Sequence, residues 1–352
     1  MTTVLVRVEG RIGRITLNRP AALNALTLDM VRHLDRALIA WARDDRVAIV
    51  LIDGTGDRAF CAGGDIRALY DAAGAQDWAP LTTFFREEYH LNARIARYPK
   101  PVVAVMDGIT MGGGIGIGGH ASHRIVTERS KLAMPETRIG FFPDVGGTHL
   151  LGMAPGELGT HLALTSGRVD AADAIAGNLA DWLVPVERLG AVPAQLAACE
   201  SAADVSAALQ AVAVTPPRGA LADARTWIDR CYAGDRAEAI VAALRDAPEP
   251  DARQAAGEIT ANSPTSVKVT LAALRRARRL GTIEPCLNQE FRLALSLTRD
   301  PDFREGVRAA VVDKDRQPRW SPADLPGVSD AAVERHFLGL GAGELGLAAI
   351  EP

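Results

Sequence analysis

The sequence predicts an α/β protein whose carboxyl-terminal half is an extended helical region. Three observations carry that expectation. Apolar and β-branched runs alternate with helical patterns as far as about residue 185, as strands joined by crossover helices do. Beyond Pro185 the chain becomes rich in Ala, Arg and Leu, with apolar residues recurring at helical spacing. Glycine clusters follow two of the predicted strands, in FCAGGDI and MGGGIGIGG. The change of character divides the chain into a core over 1–186 and a helical region over 187–352.

The elements follow in order. TVLVRVEGRIGRITLNRP reads as a hairpin turning at Glu9-Gly10 and closed by Pro20. Thr27 is placed to cap a helix in which Leu28, Val31, Leu34, Leu38 and Trp41 fall on one face. VAIVLIDG is a buried strand, CAGGD a tight loop and FFREEYHLNARIARY a long helix. PVVAVMDG is again a strand, the glycine run opens a short helix, and RIVTE is a strand. Later helices lie in ALRDAPEPDARQAAGEITA, SVKVTLAALRRARR and LNQEFRLALSLTR, with breaks at Pro216-Pro217, Pro248 and Pro264.

Composition narrows the function. Among 352 residues, 48% are hydrophobic and 23% charged, which suits a soluble globular core. A net charge of -4 argues against nucleic acid as a partner, and the basic run RRARR at 275–279 reads as a solvated helix face. No run of about 18 apolar residues offers a membrane span. The four cysteines, Cys61, Cys199, Cys231 and Cys286, form no CxxC pair. With an amino terminus that reads as a strand, they lead us to expect a reducing, cytoplasmic setting and neither disulfide nor metal site. His120 and His123 flank Ser122, but no G-x-S-x-G elbow surrounds that serine, so packed histidines are expected.

Gly114, Gly116 and Gly119 spell G-x-G-x-x-G. A dinucleotide fold needs a full helix after the last of these. Only residues 120–123 separate it from the next strand, so that use fails. Two glycine loops following strands suit another purpose, since each can aim a peptide N–H at one developing oxyanion.

LNRPAALNALTLDM, FCAGGDI, PKPVVAVMDGITMGGG and PETRIGFFPDVGG occur here in the order found in the crotonase (enoyl-CoA hydratase/isomerase) superfamily, which the chain resembles. The resemblance implies a crotonase-like ββα spiral core. It also implies an oxyanion hole, made by the amides of Gly64 and Gly113, around an acyl-CoA thioester carbonyl. Coenzyme A then enters as part of the substrate, with no metal and no other cofactor. Hydratases of the superfamily use two glutamates. The place of the first is Gly116 here; that of the second is Glu136. Asp144 stands where hydratases carry glycine.

That exchange, and the pattern PETxIGxFPDVGG, resembles the 3-hydroxyisobutyryl-CoA hydrolase branch of the superfamily. The likeness extends through FFREEYHLN, SPTSVKVTL, NQEFRLAL and FREGVRAAVVDKDRQPRW. It implies a substrate site of Glu88, Gly113, Glu136 and Asp144. Glu136 would attack the carbonyl or act as general base on water, and Asp144 would position water or protonate the thiolate. Glu88 would bind the substrate's 3-hydroxyl. Each has a plainer alternative: a solvated helix residue for Glu88, and a helix N-cap for Asp144. Competing functions are an enoyl-CoA hydratase or isomerase, and an inactive acyl-CoA-binding or assembly subunit. Many crotonases are trimers or paired trimers, so a homo-oligomer is allowed, while the altered carboxyl-terminal half leaves that state open.

Overall fold

A computed structural model describes residues 2–348. The chain forms two compact units that interleave in sequence, where the sequence reading drew one boundary at 186/187. The first comprises Met1–Gly64, His90–Leu132 and Val169–Ala220; the second comprises Asp65–Tyr89, Ala133–Arg168 and Leu221–Pro352. Composition follows chain order, whereas compactness follows which segments share a core, and the two need not coincide.

The first unit is built on a six-stranded sheet. Val4–Glu9 and Ile12–Leu17 form the expected antiparallel hairpin. Ile12–Leu17 then pairs in parallel with Ile49–Gly54, followed by Val102–Val105, His123–Val126 and Trp182–Leu183. Parallel strands need crossovers, and the helices between them supply these. One sheet face packs Ile12, Ile49, Leu51, Val103 and Ile125 against Val192, Leu196, Val205 and Leu209. These last four come from the helices Val192–Leu196 and Ala202–Gln210, the second opened by a capping box between Ser201 and Asp204.

The helix Leu28–Ala42 begins as the sequence predicts, with the Thr27 hydroxyl accepting from the Met30 N–H at 3.3 Å. Val31, Leu34, Leu38 and Trp41 are buried on its inner face. Lys100 closes the helix end by donating to the carbonyls of Trp41, Asp44 and Val47 at 2.6–2.8 Å. His123 is a packed residue, its ring nitrogens set against Ser122 Oγ, Ser206 Oγ and the Ala202 carbonyl.

The second unit is helical. It takes the beginning of the long helix Trp78–Ala96, the short helices Gly147–Gly152 and Leu158–Thr165, and a succession from Ala220–Cys231 onward. Pro248 separates the helices Ala237–Asp246 and Pro250–Ala261. Pro264 opens Pro264–Leu280, where its missing N–H costs nothing and the Ser263 hydroxyl accepts from Ser266.

The basic run departs from the solvated face predicted for it. Arg275 and Arg278 both clamp Glu157, and Arg275 also donates to the carbonyls of Tyr232 and Gly234. Arg275 keeps 12% of its side-chain exposure. A guanidinium can enter a packed region when its donors all find acceptors, and Glu157 with two carbonyls provides them. All four cysteines are buried and free. Among the described residues no helix is long and apolar enough to cross a membrane, and no His/Cys/Asp/Glu group could hold a metal ion.

Candidate active site

The predicted site residues fall into two groups, each inside one unit. Gly64 and Gly113 belong to the first. Gly64 lies in a parallel bridge with Leu26, whose N–H donates to the Gly63 carbonyl at 2.8 Å. The two glycine loops run side by side: a Cβ on Gly63 would stand 3.3 Å from the Met111 carbonyl and 3.8 Å from the Gly113 nitrogen. Gly113 is the first residue of the helix Gly113–Gly118, so its N–H has no acceptor within that helix. All six residues of the helix are buried. The reason for glycine is plain at Gly114, where a Cβ would fall 2.2 Å from the Cys61 carbonyl oxygen. The glycines thus let two loops approach at backbone distance, which an oxyanion hole requires.

Glu88, Glu136 and Asp144 belong to the second unit, and it brings them together. Glu88 lies in the helix Trp78–Ala96. Glu136 opens the 3-10 turn Glu136–Ile139, which ends on Gly140 at φ 72°. That glycine is obligatory, because a Cβ would meet the Asp302 carbonyl oxygen at 2.1 Å. Asp144 sits on the following loop. The three carboxyls are 2%, 7% and 6% exposed, so none is the solvated residue its type suggests. Glu88 Oε1 and Glu136 Oε2 are buried and meet no hydrogen-bond partner among the described residues. Orphaned buried oxygens are costly, and their retention points to a ligand that supplies the missing donors.

The electrostatics agree with crowding. Burial pushes Glu136 well above the ordinary carboxylate range, and the charges of Asp144, Glu88 and Glu290 add to the effect. Glu88 is raised by burial and by Asp144. Burial lifts Asp144 to about 7, while a hydrogen bond from Tyr89 works in the opposite direction. A carboxyl poised near neutrality can exchange its proton during turnover.

Two residues of this group carry no role in the sequence reading. The Tyr89 hydroxyl donates to Asp144 Oδ2 at 2.7 Å. Glu290, in the helix Ile283–Leu297, accepts from the N–H of Gly146 at 2.6 Å and of Thr148 at 3.0 Å. Glu290 therefore caps the helix Gly147–Gly152, and the N-cap alternative for Asp144 falls, since the Asp144 side chain is engaged by Tyr89 and the cap position is Gly146. Both residues lie in motifs that carry the family likeness, FFREEYHLN and NQEFRLAL, which was the one available signal. An aromatic cluster packs beside them: Phe85 stacks on Phe141 at 5.8 Å, and Phe141 touches Phe142 and Phe303.

Residues 12–337 match the enoyl-CoA hydratase/isomerase family, and the chain belongs to that family of acyl-CoA enzymes. Within it, the chain is 41% identical over 349 residues to the 3-hydroxyisobutyryl-CoA hydrolase, mitochondrial, of Rattus norvegicus, covering 97% of this chain and 90% of that protein. The human protein of the same name is 39% identical over 350 residues, with 97% and 90% covered. Among solved structures, a carnitinyl-CoA dehydratase from Mycobacterium thermoresistibile superposes with a TM-score of 0.92 at 47% identity, covering 98% of each chain. An enoyl-CoA hydratase from Rhodobacter sphaeroides gives 0.92 at 43% identity, over 98% of this chain and 100% of that one. The fold is crotonase-like, as the sequence predicts.

Proposed function

We propose that this enzyme hydrolyses a short 3-hydroxyacyl-CoA thioester, with 3-hydroxyisobutyryl-CoA as the leading substrate, giving 3-hydroxyisobutyrate and free CoA. The observation that carries the reading is the buried pair Glu136 and Asp144, with a Glu136 oxygen left without a protein partner. The names of the curated relatives supply the acyl group. That substrate would place the reaction in valine degradation.

In this reading the amides of Gly64 and Gly113 receive the thioester carbonyl as it becomes an oxyanion. Glu136 attacks that carbon to form a mixed anhydride, which water then opens to release the acid and restore the Glu136 carboxylate, or it takes a proton from water attacking the carbonyl directly. Asp144 delivers a proton to the CoA thiolate as the carbon–sulfur bond breaks, and Glu88 binds the substrate's 3-hydroxyl. No redox group or metal has a step to perform, because the oxyanion hole supplies the electrophilic assistance.

A second reading, hydration of an enoyl-CoA, is favoured by the likeness to the solved carnitinyl-CoA dehydratase and enoyl-CoA hydratase. Gly116 argues against it, since the first acid–base glutamate of the hydratases has no counterpart there. An inactive acyl-CoA binder would have no use for buried carboxyls that burial raises above the ordinary carboxylate range. The free cysteines fit a reducing, cytosolic setting, although the relatives' names read mitochondrial. Thiol release from 3-hydroxyisobutyryl-CoA, measured beside water addition to crotonyl-CoA, decides among these. Hydration without thiol release would overturn the proposal, and tight binding with no turnover of either would favour the inactive binder.

A further inference from the structure

We propose that Glu290 is a positioning residue for Asp144, fixing the loop that carries it by binding that loop's main chain. The proposal rests on the reading of Asp144 as a site carboxylate. Glu290 is fully buried, 142 to 144 residues beyond its partners in sequence. Its Oε2 accepts from the Gly146 N–H, and its Oε1 accepts from both the N–H and the hydroxyl of Thr148.

The loop needs such a support. Val145 and Gly146 are both in the left-handed region, at φ 54° and 79°. That conformation is rare for a β-branched residue and persists only where the surroundings enforce it. At the start of the helix that follows, Gly147–Gly152, the Gly147 N–H donates to the Asp144 carbonyl, and Glu290 takes the N–H groups of Gly146 and Thr148 on either side. Were packing the whole requirement, an apolar side chain would serve at lower desolvation cost.

The same helical turn secures Asp144 a second way. Phe291 meets Tyr89 edge-on, with ring centroids 6.3 Å apart and planes at 79°. Tyr89 in turn donates to Asp144 Oδ2. One turn of the helix Ile283–Leu297 thus holds both the main chain beside Asp144 and the phenol bonded to its carboxylate. Asp144, Glu136, Tyr89 and, on the same helix, Cys286 are the titratable groups that feel the charge at Glu290.

Glutamine cannot replace Glu290 here. Both partners of the carboxylate are donors, and an amide offers one oxygen, so its NH2 would face an N–H. The test is steady-state thiol release from 3-hydroxyisobutyryl-CoA across pH by wild type, Glu290→Gln and Asp144→Asn, with circular dichroism to give the folded fraction. Expected for Glu290→Gln is a kcat lower by about tenfold to a hundredfold with KM within about twofold. Above about pH 8, where Glu290 is ionised in the wild type, its pH profile should move to lower pH, because a negative charge that raises Glu136 has gone. Wild-type kcat and an unmoved profile in Glu290→Gln, beside a disabled Asp144→Asn, overturn the proposal alone. So does a loss of rate that merely follows the loss of folded protein. Full activity in Asp144→Asn overturns the underlying reading and the proposal with it. Should Glu290→Gln not fold, Thr148→Ala removes one donor to the same carboxylate. A kcat reduced by about threefold or more at unchanged KM then supports the proposal, and an unchanged kcat overturns it.

Discussion

Tyr89 and Asp144, 55 residues apart in sequence, are joined by a 2.7 Å hydrogen bond in which the phenol donates to the carboxylate. Both are buried. The bond favours the ionised form of Asp144 and so opposes the burial that raises it to about 7. In Tyr89→Phe that opposition is lost. The limb of the kcat–pH profile that reports Asp144 should move to higher pH, the reverse of the shift expected for Glu290→Gln. A hydrogen bond to a charged group contributes about 1.5–3 kcal/mol, so kcat should fall by roughly tenfold to a hundredfold. An unmoved limb would show that the phenol leaves Asp144 unaffected.

Glu136 is the residue whose loss should hurt most. In Glu136→Gln, kcat is expected to fall by about a hundredfold to ten-thousandfold, the range a positioned acid–base group supplies. Acyl-CoA binding should survive, because the glycine loops are untouched. Single-turnover hydrolysis in heavy-oxygen water then tests for the anhydride in the wild type. Label entering the Glu136 carboxylate marks an anhydride opened at the glutamyl carbon, whereas label found only in the product is the outcome of general-base catalysis or of an anhydride opened at the acyl carbon.

For Glu88 the expected effect is on selectivity. Its Oε1 is buried without a partner, as an oxygen waiting for a substrate hydroxyl would be. Glu88→Gln should lower kcat/KM for 3-hydroxyisobutyryl-CoA by about tenfold or more while changing it little for isobutyryl-CoA, which lacks the hydroxyl. Equal losses on both thioesters would remove Glu88 from the specificity role.

Stability should carry the mark of the same carboxyls. Burial raises Asp144 and Glu290 to about 7 and about 8, far above their unfolded values. A group raised on folding stabilises most below its unfolded pKa, and that contribution is lost as pH rises through the folded value. Buried His161, lowered to about 4, acts in the opposite direction at the acid end. The clean measurement is therefore a difference. Asp144→Asn should gain in melting temperature relative to wild type as pH rises from about 4 to about 7, the interval between the unfolded and folded values of Asp144. A constant difference across that window would mean that Asp144 is not raised in the folded protein.

Local chemistry made much of this legible in the sequence. The Glu9-Gly10 turn, the Thr27 cap and the glycine run are decided by near neighbours, and each element forms where its residues predict. Asp144 stands out because an acid replaces a glycine in PETRIGFFPDVGG while a glycine replaces an acid at Gly116 of the glycine run, and Glu136 because it keeps the second glutamate's place. What escaped depends on partners far along the chain. Glu290 reads as one more polar residue in a helix until the loop at 146–148 is seen against it. Arg275 and Arg278 read as solvated charges until Glu157 is found between them. The interleaving of the two units is invisible to composition, since the segments 65–89, 133–168 and 221–352 share no pattern that announces a common core.

The reach of Glu290 back to residues 146–148 also bears on how the protein is made. Asp144 and its loop leave the ribosome first, and the carboxylate that binds the loop follows about 140 residues later. At a synthesis rate of roughly 5–20 residues per second, the nascent loop goes unsupported for some seconds to half a minute. A truncated chain ending before Glu290 is therefore committed to remain without a finished Asp144 loop, however long it is given to fold.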